Sequence, residues 1–432
     1  MLIGDGPPGV LDALLGFALA AVLAWFLVPR SDTLAERIGA IDVPGERSLH
    51  ESPTPRLGGL AILAAVLVAA VLFLPWNPQP RAILAGAIAI AAVGVMDDVW
   101  EISAGPKLLG QIVATTIPVA AGVKVANFTL PFLGRIEVGS VDLFELPVVG
   151  EIDIGFIGTL VGIVAIINVI NLIDGVDGLA AGVCVISAIS LAVIALSLDR
   201  YMAGVLAAIT AGAALGFLRH GFPPASTFMG DTGSNLLGYL LGIVAVAGAV
   251  KTNAVVALFF PLLVLTLPIL DTGFVVAKRL KYRRPIHVAD DSHFHHRMVR
   301  IGFSQRRTLL YMYSWCVVMA GLALALRFVP YSDDHGNFDA AWTAVVVFCG
   351  LVALAASVYL VYVLEILKLR RFRLRQLRAR GEVAAQAEAE ADAGVAHELE
   401  TGSFAAVNPR TGEIDAVDPE TGEFEAVRPA RD

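Results

Sequence analysis

The chain is 432 residues long, 57% hydrophobic and only 16% charged, with a mean hydropathy of +0.74. That composition excludes a soluble globular protein and points to a polytopic all-α membrane protein. The formal net charge of −8 identifies no partner, because much of the acid lies in the C-terminal tail, and no nucleic-acid partner is expected.

A membrane span needs about 20 mostly apolar residues. Eleven candidates follow one another, near 10–29, 57–75, 81–96, 108–124, 154–171, 178–198, 203–218, 232–250, 253–277, 309–327 and 341–365. The third and seventh are short for a crossing. The first has no basic segment before it and Arg30 after it, so it reads as a span and not as a cleaved leader. Cys184, Cys316 and Cys349 all fall inside predicted spans, which implies no disulfide framework.

Eleven spans make the loops alternate between two sides. The loops 30–56, 97–107, 172–177, 219–231 and 278–308 hold fifteen Lys and Arg, and seven more follow the last span in "KLRRFRLRQLRAR". The opposite set holds six. Basic loops stay on the cytoplasmic side, so the N-terminus is expected outside and the tail inside. The outer loop 125–153 alternates apolar and polar residues between turn signals, which predicts a small β-hairpin on the outer face. Residues 1–380 read as one membrane domain. From 381 an Ala/Glu-rich stretch leads into three ten-residue repeats beginning at Thr401, Thr411 and Thr421. Repeats this short and acidic cannot bury a core, so the tail is expected to be disordered, with transient hairpins at its turn sequences.

The polar residues sort onto one side. "VGVMDDVW" places Asp97 and Asp98 at the cytoplasmic end of span three, and "NVINLIDGVDGL" forms the turn between spans five and six. "FMGDTGSN" puts Asp231 and Ser234 at the start of span eight. "DDSHFHHRMVRIG" puts Asp290, Asp291, His293, His295 and His296 in the largest cytoplasmic loop, and "HESPTPRLGG" brings His50 and Arg56 to span two. Asn168, Asn171 and Asp174 succeed one another at three-residue steps and stack along one side of a helix end. Intramembrane amides and acids on one face mark a wet cavity or a functional site, although Asn168 and Asn171 also suit hydrogen bonds between helices, and end-of-helix aspartates suit solvent. Gly175 suits a helix C-cap, with Asp177 opening the next turn. Carboxylates and an amide gathered without thiolates favour a hard cation such as Mg²⁺, which shares phosphate oxygens with its substrate. The nearby histidines and arginines favour phosphate, and together they read as phosphoryl transfer on a diphosphate. A zinc site on His293, His295 and His296 is the competing reading, at a spacing that fits no strong zinc motif.

These residues resemble a known family, the polyprenyl-phosphate N-acetylhexosamine-1-phosphate transferases, or glycosyltransferase family 4. The resemblance covers roughly residues 10–365 and rests on five blocks in order: "HESPTPRLGG", "MDDVWEISAGPKLLGQ", "NVINLIDGVDGLAAG", "FMGDTGSNLLG" and "DSHFHHRMVRIG". It implies an integral membrane enzyme with eleven spans. Such an enzyme moves a sugar-1-phosphate from a UDP-sugar to an undecaprenyl or decaprenyl phosphate and releases UMP. It implies Mg²⁺ as cofactor, with Mn²⁺ as a substitute, and Asp231 and Asn171 as its ligands. Asp97 and Asp98 match the aspartate pair beside the diphosphate and lipid phosphate, Asp97 as acceptor of the lipid phosphate's proton.

The resemblance further implies that Asp174 and Asp177 shape the nucleotide pocket, Asp177 near the uracil, with Phe228 stacked on that ring. Lys107 follows the aspartate pair at the family spacing. His293, His295, His296 and Arg297 resemble the loop that grips diphosphate and sugar, and Asn168, Arg56 and His50 are grouped with the substrate contacts. Partners implied are a UDP-N-acetylhexosamine, a polyprenyl phosphate and membrane lipid, with a homodimer compatible, at a bacterial plasma membrane. The sequence departs from the family at Arg47-Ser48-Leu49-His50, where Arg-Lys-x-His is common, and at Gly221, beside His220, in a place where family members often carry an Asn. His-Phe-His-His and "TPRLGG" resemble the GlcNAc-1-phosphate branch that starts wall polysaccharides. The phospho-MurNAc-pentapeptide branch is the alternative, and an ion-coupled transporter is the alternative of a different class.

Overall fold

The fold is taken from a computed structural model, which describes residues 9–43, 53–125, most of 127–146, 150–249, 304–331 and 339–358, and the dipeptides 406–407 and 414–415. Ten α-helices lie among them: α1 (Val10–Ile38), α2 (Gly58–Phe73), α3 (Pro78–Trp100), α4 (Ala104–Ala120), α5 (Ile154–Ile173), α6 (Leu179–Ser197), α7 (Tyr201–Gly221), α8 (Gly230–Ala249), α9 (Gln305–Phe328) and α10 (Ala340–Val358). Each answers one expected span. The ninth span (253–277) lies outside the described residues, as do His50, Asp290, Asp291, His293, His295, His296, Arg297 and most of the tail.

Seven of the ten, namely α1, α3, α5, α6, α7, α9 and α10, are long and apolar enough to cross a membrane, and α2 is a shorter apolar helix. The two spans that looked short are full-length. Helix α3 has 23 residues because it starts at Pro78, a residue whose fixed φ suits a first turn, and Asn77 caps it through the Gln79 N–H at 3.2 Å. Helix α7 has 21 residues.

Two compact units divide the chain, residues 1–272 with 312–346 and residues 273–311 with 347–432. In the first, α1 packs on α7, α6 on α7, α5 on α8 and α3 on α8. Small residues bring the backbones together. A Cβ on Gly212 or Gly216 of α7, four residues apart, would lie 2.1 or 2.2 Å from the Phe17 or Ala21 carbonyl oxygen of α1. Close approach of this kind supplies dispersion contact where lipid removes the hydrophobic drive between helices.

Helix α1 runs nine residues beyond its expected end, straight through Pro29. A proline inside a helix leaves the carbonyl four residues earlier without its donor. That carbonyl belongs to Trp25, and the His220 Nε2–H of α7 donates to it at 3.0 Å. The continued helix carries Asp32 to the loop before α8, where it accepts from the Thr227 hydroxyl at 2.8 Å.

Short antiparallel strands serve the connections. Strand β1 (Ile41–Asp42) pairs with β2 (Thr54–Pro55) between α1 and α2. Before α5 stand two hairpins where one is expected, β3 (Asn127–Leu130) with β4 (Gly134–Glu137), and β5 (Asp142–Leu146) with β6 (Gly150–Asp153). The sequence punctuates twice, "PFLG" at 131–134 and "PVVG" at 147–150, and Pro and Gly break strands. In the tail, β7 (Ala406–Val407) pairs with β8 (Ile414–Asp415), joining the first ten-residue repeat to the second.

The α4–α5 connection ends on a built junction. Asp153 caps α5 by accepting the Phe156 N–H at 2.6 Å, and it pairs with the Lys124 ammonium. Burial works against its charged form, but the ammonium and the backbone N–H groups of Phe156 and Gly155 hold its carboxyl below the usual range. A carboxyl lowered on folding contributes stability above its unfolded pKa of about 3.9, and loses it as the pH falls through the lower, folded value. Asp153→Ala should therefore lower the unfolding midpoint at pH 7, with about 1 kcal/mol from the lost cap alone. The gap from the unchanged chain should narrow below about pH 4; equal midpoints at pH 7 would refute the assignment.

Candidate active site

At one end of the bundle the described stretch 53–59 is stitched by backbone bonds to Ala40 and to the loop 222–229. The Phe228 N–H donates to the Pro55 carbonyl at 2.8 Å, and the Gly58 and Gly59 N–H groups donate to the Phe228 and Met229 carbonyls at 3.0 Å each. "TPRLGG" and "FMGD" are thus one structure. Beside them Ala35, Ala40 and Leu57 are fully buried, packed by Leu60, Val95 and Val99.

The N-terminus of α8 is wedged between α2 and α3. A Cβ on Gly59 would lie 2.1 Å from the Gly233 nitrogen, and one on Gly94 would lie 2.4 Å from the Thr232 Cα. Gly230 takes φ +65°, a left-handed conformation that favours glycine, and a Cβ there would meet the Arg56 carbonyl at 2.2 Å and the Asp98 carboxylate at 2.5 Å. Asp98 of α3 caps α8 from outside. Its Oδ1 accepts the Asp231 N–H at 2.8 Å; its Oδ2 accepts the Thr232 N–H at 3.0 Å and the Thr232 hydroxyl at 2.6 Å. Those are the N–H groups a helix start leaves without partners. Asp98 is 5% exposed, so this aspartate positions α8, and its neighbour faces the site.

That neighbour, Asp97, belongs to the last turn of α3 and not to a loop after it, and Lys107 stands in the first turn of α4. The Lys107 ammonium gathers three oxygens. Asp97 Oδ2 lies at 2.8 Å, Asn171 Oδ1 at 3.4 Å, and Asp231 Oδ2 closes the set. The Asn171 amide is oriented by donating to Asp231 Oδ1 at 2.7 Å and to the Ser234 hydroxyl at 2.9 Å. Four helices, α3, α4, α5 and α8, thus bring two carboxylates and an amide oxygen to one positive charge.

One helical turn deeper lies a second polar layer. Gln111 follows Lys107 by four, Asn235 follows Asp231 by four, and Asn168 precedes Asn171 by three. The Asn168 amide donates to Gln111 Oε1 and to the Val164 carbonyl, each at 2.8 Å. Gln111 Nε2 donates to Asn168 Oδ1 and Asn235 Oδ1, each at 3.4 Å. Asn168, expected with the substrate contacts, is placed in this layer, where its amide links α4 to α5. Sequence reasoning gave no role to Gln111, Asn235 or Thr232; the four-residue steps from Lys107 and Asp231 were the available signal.

The other expected residues that the structure describes are Asp174, Asp177, Arg56 and Phe228. Asp174 ends α5, and burial pushes its carboxyl well above the usual range, with the charges of Asp231, Asp98 and Asp177 adding to the push. Asp177 Oδ2 accepts the Ala225 N–H at 3.1 Å, which ties the 174–178 turn to the loop carrying Phe228. The Tyr313 hydroxyl of α9 donates to the Gly178 carbonyl at 2.6 Å behind that turn. Arg56 pairs with Glu101 at 3.1 Å, just past the end of α3.

The donor set fits a hard cation: oxygens only, already gathered around one positive charge. Among the described residues no group of three or more His, Cys, Asp and Glu side chains is placed to hold a metal. Two carboxylates and an amide instead suit an ion that keeps several positions for water and substrate phosphate, as Mg²⁺ does.

Comparison with known proteins decides the family. Residues 81–249 match the glycosyl transferase family 4 profile. A probable undecaprenyl-phosphate N-acetylglucosaminyl 1-phosphate transferase of Bacillus subtilis (strain 168) is 36% identical over 317 residues, 72% of this chain and 84% of its own length. The chain belongs to glycosyl transferase family 4. A decaprenyl-phosphate N-acetylglucosaminephosphotransferase of Mycolicibacterium smegmatis is also 36% identical, over 76% of this chain and 85% of its own. A phospho-N-acetylmuramoyl-pentapeptide-transferase of Desulforudis audaxviator is 32% identical, over 74% and 98%. This family 4 member is therefore an enzyme and a multi-pass membrane protein. The transporter alternative finds no support.

The two aspartates of "MDD" should separate experimentally. Asp98→Ala leaves two helix-start N–H groups without partners and should lower stability by about 0.5–2 kcal/mol, read as a lower unfolding temperature in detergent. Asp97→Asn should remove turnover with little change in that temperature. The reverse pattern would overturn the division between positioning and chemistry.

Proposed function

We propose that this enzyme transfers N-acetylglucosamine 1-phosphate from UDP-GlcNAc to a polyprenyl phosphate, with Mg²⁺, at the cytoplasmic face of a bacterial plasma membrane. The observation that carries the reading is the convergence of Asp97, Asp231 and Asn171 on one cation at the meeting of four helices. The excess of Lys and Arg in the loops of that end supports a cytoplasmic site, where UDP-sugars are available. Relatives named for GlcNAc-1-phosphate transfer, at 36% identity, support the sugar. The pentapeptide transferases, at 32%, are the second reading.

Chemically, an oxygen of the lipid phosphate attacks the β-phosphorus of the UDP-sugar. A P–O bond forms there, and the bond to the bridging oxygen breaks, so UMP leaves with that oxygen. Mg²⁺ supplies neutralisation of the diphosphate charge, and Asp231 and Asn171 would hold it. Asp97, at the mouth of the cluster, takes the proton of the lipid phosphate. Asp177 and Phe228 face the nucleotide. The tail beyond 380 takes no part.

Purified enzyme given UDP-GlcNAc, decaprenyl phosphate and Mg²⁺ should release UMP, and EDTA should abolish the release. Asp231→Asn should cut turnover by about 10² or more while the protein stays folded, the scale of losing one electrostatic stabiliser. UMP release from UDP-MurNAc-pentapeptide alone would favour the second reading, and release from neither would sink both. A chain ended at residue 380 should keep its turnover; loss of activity would give the repeats a role.

A further inference from the structure

We propose that Lys107 and the divalent cation are alternative occupants of one oxygen-lined position, so that the ammonium holds the site closed to free metal until substrate arrives. The inference rests on the metal-dependent transfer reading above and goes beyond it. An ammonium has three N–H groups and no acceptor. Lys107 spends them on Asp97 Oδ2, Asp231 Oδ2 and Asn171 Oδ1. The last two belong to the residues that would hold the metal, so a cation seated on them would stand close beside the ammonium.

Electrostatics turn this overlap into competition. The group is largely shielded from solvent, with side-chain exposures of 16% for Lys107, 13% for Asp97 and 27% for Asp231. At about 4 Å and an effective dielectric near 20, like charges repel by far more than thermal energy. Free metal therefore has to bind beside the ammonium or expel it from its only described anionic partners. A diphosphate changes the balance, because it offers the ammonium new anionic oxygens as the metal comes in. The lysine stem is flexible enough to follow: four methylenes with the charge at the tip. Helix α4 holds the stem's base in place, its Lys107 N–H donating to the Ser103 carbonyl at 3.3 Å. The outcome is an order of events in which metal enters with the nucleotide and the lysine moves from carboxylates to diphosphate.

The test reads metal binding and not turnover. Mn²⁺ is titrated into detergent-purified full-length protein without substrate, and free Mn²⁺ is followed by electron paramagnetic resonance. Lys107→Met should bind Mn²⁺ at least tenfold more tightly than the unchanged protein. Lys107→Gln, which keeps a donor without the charge, should show the same tightening if the methionine variant folds poorly. Lys107→Arg, which keeps the charge, should bind as weakly as the unchanged protein. Addition of UDP should raise the affinity of the unchanged protein towards that of Lys107→Met. Equal Mn²⁺ affinities across the series, in a protein that still releases UMP, overturn the competition alone. Absence of Mn²⁺ binding in every variant, together with absence of UMP release, overturns the transfer reading beneath it.

Discussion

A helix that starts inside a bundle has to find partners for its first N–H groups, and everything at this site depends on how α8 does so. Its donors are taken by the Asp98 carboxylate of a different helix, α3, while Gly59 and Gly94 let two backbones close on its first turn. An anion at a helix N-terminus is favoured by the helix dipole as well as by hydrogen bonds. Because the Asp231 N–H is itself one of the capped donors, the direction of the Asp231 side chain is set by the same contact. Asp97, the preceding residue on α3, is then delivered to the opposite wall of the cluster. One carboxylate builds the site and its neighbour lines it.

The site is layered along the helices. Lys107, Asn171 and Asp231 form the mouth; Gln111, Asn168 and Asn235 repeat the arrangement one turn deeper, on the same three helices. A hydrogen bond between helices in a membrane contributes on average about 0.6 kcal/mol, so the deeper layer adds little to stability. Its geometric effect is larger. A one-turn slip of α4 or α5 would displace its residue from the mouth by about 5.4 Å, and the amides resist that slip.

Distant features converge on the same place. Pro29 would have ended α1 early, but His220 takes up the carbonyl it orphans, and the helix continues far enough for Asp32 to bind Thr227. The FMGD loop is therefore held from three sides, by α1, by the entry to α2 and by Asp177. His220 stood out in the sequence only as the neighbour of Gly221, where the chain departs from the family pattern, and its partner is 195 residues away.

The sequence by itself determined the class of the molecule, the places of ten helices though not the far end of α1, and the polar blocks that, among the described residues, meet at one end. Apolar runs of span length and clustered acids and amides are local signals, and hydropathy reads them directly. Among the described residues it also singled out Asp97, Lys107, Asn171 and Asp231, which the fold does bring together. It set Asp97 apart from Asp98 only through the family resemblance and gave no sign that Asp98 caps α8, since adjacent residues look alike in sequence but point about 100° apart on a helix of 3.6 residues per turn. It grouped Asn168 with the substrate contacts, whereas one helical turn puts its amide in the layer beneath the mouth, on Gln111. Those distinctions belong to the tertiary structure, where the choice between capping a neighbouring helix and facing a cavity is made by which backbone lies opposite.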